Sequence, residues 1–114
     1  MFNGIIFNKG RITNISKREK GINIFVTSDL KLNKKDIGVS IACDGVCLTL
    51  ISIKKKIMEF YLSNETIQRS KFKYLKLNDE INLELPLKYG QNISGHICQG
   101  HVDTVGKILD IKKI

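Results

Sequence analysis

The residues best equipped for chemistry cluster near the end of the chain, in SGHICQGHVD, Ser94 to Asp103, which holds both histidines and one of three cysteines. His96, Cys98 and His101 raise two chemistries, metal ligation and proton transfer. Tetrahedral zinc takes four Cys, His or carboxylate ligands converging on one point, commonly as closely spaced pairs. His96 and His101 are five residues apart, so on a strand they face opposite sides and on a helix they lie about 140° apart. One metal can take both only if the backbone breaks between them, as Gly100 would allow. Cys43, Cys47 and Cys98 could converge in three dimensions, but nothing in their spacing requires it, and no metal is expected. Cys98 reads as a small buried hydrophobe. An imidazole titrating near neutrality is a proton carrier, which makes His101, beside a glycine, the residue of interest.

The elements that must position these residues are strands. GINIFVTS (21–28), VSIACDG (39–45), VCLTLISI (46–53), IMEFYLS (57–63) and EINLEL (80–85) carry apolar and β-branched residues at period two between turn residues. Asp44-Gly45 between two such runs predicts a tight turn or bulge. NETIQRSKF (64–72) is the one helical segment, with Asn64 as its cap, Glu65 in its first turn, and Ile67 and Ser70 three apart. Five or six short strands, one small helix and no βαβ alternation predict an all-β fold, a small closed or nearly closed antiparallel barrel.

Length and composition fit this picture. At 114 residues the chain holds one compact domain, and 42% hydrophobic with 26% charged residues is the balance of a globular protein. The N-terminus lacks a secretory pattern, no run approaches a bilayer span, and an odd cysteine count suits reduced thiols, so a cytoplasmic location is expected. A net charge of +8 raises nucleic acid as a partner. The lysines fall in scattered groups, KLNKKD, IKKKI, KFKYLK and DIKKI, several in turns. The five Phe and three Tyr form no stacking platform along the chain. A solvated basic surface, with no nucleic-acid or membrane partner, is the reading.

The two ends of the chain repeat one another. MFNGIIFNKGRITNISK (1–17) lies over ICQGHVDTVGKILDIKK (97–113) with Gly4 on Gly100, Gly10 on Gly106, Ile12 on Ile108, Ile15 on Ile111 and Lys17 on Lys113, a constant offset. His101 then stands where Ile5 stands in the first copy. The expected organisation is one barrel over residues 1–96 and the first strand of a second repeat over 97–114. A second copy would need on the order of 80 further residues to close a core, so the chain is expected to be the first part of a longer protein.

Four segments carry a family resemblance: MFNGII, GVSIACDGVCLTL (38–50), FYLSNETIQRS (60–70) and SGHICQGHVDTVGKI (94–108). In order and spacing they resemble the N-terminal lumazine-binding repeat of riboflavin synthase, across nearly the whole chain. Two departures stand out, Val46 before the motif cysteine and an extra cysteine at Cys43. The resemblance implies a six-stranded antiparallel Greek-key barrel with one short helix. It also implies a cofactor-free dismutation of two 6,7-dimethyl-8-ribityllumazine molecules to riboflavin and 5-amino-6-ribitylamino-uracil. The partners it implies are that lumazine, riboflavin and other copies of the chain, a homotrimer for the whole family protein and a dimer or trimer for a fragment.

Position by position, the resemblance implies that the backbone of Gly4, Ile5 and Ile6 meets the pteridine ring and that Cys47, Leu48 and Thr49 form a second wall. Tyr61, Leu62, Ser63, Asn64, Glu65 and Thr66 form a third, with Glu65 and Thr66 toward the ribityl hydroxyls, and Gly100, His101 and Val102 complete the pocket. Ser40, Cys47 and His101 are the candidates for chemical roles, Ser40 and His101 in positioning or relaying a proton and Cys47 as a polarisable or nucleophilic group. Cys47 and Thr49, two apart on one strand, share a face that suits a pocket wall or the inside of a barrel, with Leu48 pointing the other way. Glu65 equally suits a helix start, and Asp103 equally suits a surface charge. The non-enzymatic alternative is a lumazine- or flavin-binding protein that reuses the same barrel.

Overall fold

The computed structural model describes all 114 residues. Period-two alternation becomes six strands: β1 (Asn8–Arg18), β2 (Gly21–Ser28), β3 (Ser40–Cys43), β4 (Val46–Lys54), β5 (Ile57–Ser63) and β6 (Glu80–Glu84). They close into a ring in the order β1-β2-β5-β4-β3-β6, with every pairing antiparallel. Closure removes the unpaired edges that an open sheet would expose. Bulges at Ile12/Asn14 and Leu50/Ser52 shift the register of β1 and β4 and supply the bends a small ring needs.

The apolar half of each alternation points into the ring. Ile12, Ile24, Val26, Ile41, Leu48, Leu50, Met58, Phe60, Leu62, Ile81 and Leu83 share one core, and Phe72 packs against it. Asp44-Gly45 forms the expected two-residue hairpin, with φ of 49° and 82°, the paired positive values that match strand twist. Lys55-Lys56 makes the same kind of turn between β4 and β5, with φ of 50° and 66°, without a residue that favours it.

The short helix α1 (Asn64–Arg69) follows β5 directly. Its cap is Ser63 rather than the expected Asn64: the Ser63 hydroxyl accepts from the Thr66 N–H at 3.2 Å. A serine at the end of a strand already has the extended backbone that an N-cap needs, here φ −69° and ψ 159°. Beyond the helix, the buried Ser70 hydroxyl donates to the Thr66 carbonyl at 2.7 Å and accepts from the Phe72 N–H at 3.3 Å. These bonds fold the chain back toward β6.

Residues 85–114 contain no helix or strand, and cross the barrel through one isolated antiparallel bridge, Phe2 to Cys98. Cys98 is exposed, which corrects its expected burial: the bridge is a backbone contact, and it buries Phe2 instead. Phe2 and Cys98 are also counterparts under the repeat, since each stands two residues before the Gly4 and Gly100 that the repeat aligns.

Candidate functional site

Inward packing of Val46, Leu48 and Leu50 sends Cys47 and Thr49 to the outer face of β4. Beside Cys47 lies a cleft of about 170 Å³. Its walls come from three places: Val46 and Cys47 on β4, Glu65, Thr66, Arg69 and Ser70 on and just after α1, and Gly100, His101 and Val102 on the segment that crosses the barrel. Six of the residues expected at a ligand site therefore converge: Cys47, Glu65, Thr66, Gly100, His101 and Val102. They are separated in sequence by up to 55 positions, from Cys47 to Val102, and only folding brings them together.

At the cleft the crossing segment is tied to β4 by a backbone hydrogen bond, from the Cys47 N–H to the Gly100 carbonyl at 2.8 Å. Gly100 has φ +81°, and a Cβ there would lie 2.8 Å from the Cys47 Cβ. Only glycine gives both the left-handed backbone and this close approach. Val102 then packs against the core, leaving His101 exposed at the mouth of the cleft.

Glu65 and Arg69, one turn apart on α1, form an ion pair at 3.1 Å. Both are more than half exposed, so the pair contributes little to stability. Its effect is to set a carboxylate and a guanidinium side by side at the cleft. The Thr66 hydroxyl is within hydrogen-bond distance of the Ser63 hydroxyl, 3.1 Å away. Directional acceptors and donors of this kind suit a polyol.

The other expected residues lie elsewhere. Ser40 is the cross-strand partner of Thr49, on the same outer face as Cys47 but outside the cleft lining. Leu48 and Leu62 are buried in the core, so their side chains cannot face a ligand. The Tyr61 hydroxyl donates to the Lys20 carbonyl at 3.1 Å, and the Asn64 N–H donates to the same carbonyl at 3.0 Å. Ile5 lines a separate cleft of about 480 Å³ with Asn3, Phe7, Glu84, Leu85 and Tyr89, and neither Gly4 nor Ile6 lines either cleft. Val46, Arg69 and Ser70 were not among the expected residues. Helical spacing from Glu65 and Thr66 points to Arg69 and Ser70, whereas Val46 reads only as core.

The three thiols differ in burial: Cys43 is buried, Cys47 half-buried and Cys98 exposed. Burial pushes the pKa of Cys43 up, and the neighbouring Asp44 and Cys47 push it further, so Cys43 stays a neutral thiol. Iodoacetamide at mildly alkaline pH is expected to label Cys98, and Cys47 more slowly, with Cys43 labelled only after denaturation, because the thiolate is the nucleophile. Peptide mass mapping against time would show the order, and early labelling of Cys43 would contradict it.

The lumazine binding domain family matches residues 3–86. Riboflavin synthase of Photobacterium leiognathi is 36% identical over 114 residues, which is 99% of this chain and 52% of that protein. The chain thus spans about half the length of the curated relatives it matches. Among solved structures, LumP complexed with 6,7-dimethyl-8-(1'-D-ribityl) lumazine superposes with a TM-score of 0.74 at 23% identity, covering 91% of this chain and 58% of LumP. LumP complexed with riboflavin gives 0.75 at 23% identity, covering 91% and 56%. These two likenesses concern the fold, and the match along the sequence carries the assignment: the chain belongs to the lumazine-binding domain family.

Proposed function

We propose that the cleft between β4, α1 and the crossing segment binds a ribityllumazine, and that the chain acts as one barrel of a riboflavin synthase. The observation that carries this is the convergence of Cys47, Glu65, Thr66 and Gly100–Val102 on one outward-facing cleft. In this reading Glu65 and Thr66 hold ribityl hydroxyls, and the crossing segment covers the ring. Relatives named riboflavin synthase along the whole chain support it.

The reaction passes a four-carbon unit from one 6,7-dimethyl-8-ribityllumazine to another, giving riboflavin and 5-amino-6-ribitylamino-uracil. The 7-methyl group of one ring is acidic, and the carbanion left by its proton attacks the second ring after a nucleophile has added to it. His101, at the mouth of the cleft, carries the proton. Cys47 assists as a polarisable group, and Ser40 contributes from its position on β3 opposite Thr49. Orientation of two rings against each other supplies much of the rate, since oriented reactants reach very high effective molarities.

One barrel offers a cleft of about 170 Å³, below the roughly 300–1,000 Å³ of a drug-sized site. A second barrel that covers it, from the same protein or a neighbouring copy in a homo-oligomer, completes the site. Residues 1–96 then form the first repeat and 97–114 open the second. Gly4–Ile6, the counterparts of Gly100–Val102, serve the equivalent cleft of that second barrel. A cytoplasmic location, where an odd number of cysteines stays reduced, belongs to this reading.

Titration of the chain with the lumazine and with riboflavin, followed by fluorescence, is expected to show saturable binding. No change up to about 100 μM, a standard binding free energy near −5.5 kcal/mol, would overturn the ligand reading. Turnover by this chain alone is expected to be negligible, and robust riboflavin production would overturn the two-barrel requirement. A non-catalytic lumazine- or flavin-binding role predicts that a two-repeat form also binds without turnover.

A further inference from the structure

Glu84, the last residue of β6, reads in sequence as the polar partner in an alternating strand, yet it is only 9% exposed. Its carboxylate has no cation beside it. It accepts instead from two consecutive backbone N–H groups, Asn3 at 2.6 Å and Gly4 at 3.1 and 3.2 Å to its two oxygens. Gly4 has φ +80°, and successive N–H groups around such a residue form a concavity that holds an anion. Here the anion is the protein's own side chain, about 80 positions away in the sequence.

The held segment in turn holds another. Phe2 and Cys98 exchange two backbone hydrogen bonds, each of 2.8 Å, and the His96 N–H donates to the Asn3 carbonyl at 3.0 Å. Two residues beyond Cys98, the Gly100 carbonyl accepts from Cys47. A single line of contacts therefore runs from the Glu84 carboxylate through Asn3 and Phe2 to the segment that covers the cleft.

We propose that Glu84 is a positioning residue: by clamping the Asn3-Gly4 backbone it fixes the Phe2–Cys98 pair and so sets Gly100 and His101 over Cys47. This rests on the proposed ligand reading for its functional consequence, though not for its structural one. Hydrogen bonds to a charged group are strong enough that losing this clamp changes local equilibria by about tenfold or more.

The test is amide hydrogen exchange on the wild-type chain, Glu84→Ala and Glu84→Gln, with lumazine affinity measured in parallel. In Glu84→Ala the amides of Phe2, Cys98 and Cys47 are expected to exchange about tenfold faster, while those of Ile24 and Phe60 in the β2–β5 core keep their protection. Lumazine affinity falls by about tenfold. Glu84→Gln, the same size with one oxygen acceptor, gives an intermediate effect. Unchanged exchange at Phe2, Cys98 and Cys47 would overturn the clamp, and so would equal loss of protection throughout the core. If the wild-type chain binds no lumazine, the ligand reading fails, and the exchange data alone still decide the clamp.

Discussion

Gly100→Ala is expected to weaken ligand binding sharply while leaving the barrel folded. A residue with a Cβ pays about 1–2 kcal/mol for the left-handed backbone that Gly100 adopts. The added carbon also meets the Cys47 Cβ at 2.8 Å and the Cys47 nitrogen at 3.1 Å. Neither neighbour is the free end of a flexible side chain, so the crossing segment must lift. Lifting it breaks the Cys47 to Gly100 hydrogen bond, a further loss of about 1 kcal/mol. Together these costs predict roughly 30-fold weaker binding or more. The segment lies outside the ring of strands, so the melting temperature should move by only a few degrees. Fluorescence titration and a thermal melt on one preparation check both halves, and wild-type affinity would contradict the role given to the segment.

Gly21→Ala is expected to cost far more in stability than its size suggests. Gly21 opens β2 opposite Ser63 at the end of β5, and a Cβ there would stand 2.1 Å from the Leu62 carbonyl oxygen and 2.9 Å from the Tyr61 hydroxyl. A backbone oxygen cannot rotate away, so the β2–β5 ladder must open at this end. Overpacking typically costs about 1–3 kcal/mol, and a backbone clash belongs at the top of that range or above it. For a domain of this size the melting temperature should fall by roughly 10 °C or more. Ser63 caps α1 from the same position, so opening the ladder also displaces Glu65 and Thr66. A melting temperature within a few degrees of wild type would show that β2 begins beyond Gly21.

Five of the six strands are legible because a half-buried strand must alternate, whereas β1, Asn8–Arg18, is not among the alternating runs and shows in the sequence only through the repeat of 1–17. GINIFVTS and IMEFYLS match β2 and β5 residue for residue, and Asp44-Gly45 announced its hairpin by residue type. Lys55-Lys56 did not, since two lysines carry no preference for positive φ and the strands on either side impose the turn. The shift of the cap from Asn64 to Ser63 has a similar origin, because both residues can cap and the end of β5 decides between them.

At the site, strand alternation turns Cys47 and Thr49 to one face of β4, while Glu65 and Thr66 enter as site residues through the resemblance. Their meeting with Gly100–Val102 depends on a backbone bond between residues far apart, which periodicity cannot show. Cys98 was misread for the same reason: a thiol in an apolar stretch suggests burial, yet its partner is the backbone of Phe2 and its side chain stays exposed. Glu84 was invisible for the opposite reason. The alternation of EINLEL makes it an ordinary outward residue, and only the N-terminal segment folded over it gives it a buried role.

In the proposed reading one outward-facing cleft, and not the barrel interior or the larger cleft beside Ile5, receives the ligand. Backbone amide shifts of the 15N-labelled chain, recorded while 6,7-dimethyl-8-ribityllumazine is added, test this directly. The expected result is saturable movement at Cys47, Glu65, Thr66, Arg69, Gly100 and His101, with the amides of β1 and the β1–β2 turn unmoved. Movement confined to Asn3, Ile5, Phe7, Leu85 and residues 87–91, or no movement at any amide, would contradict it.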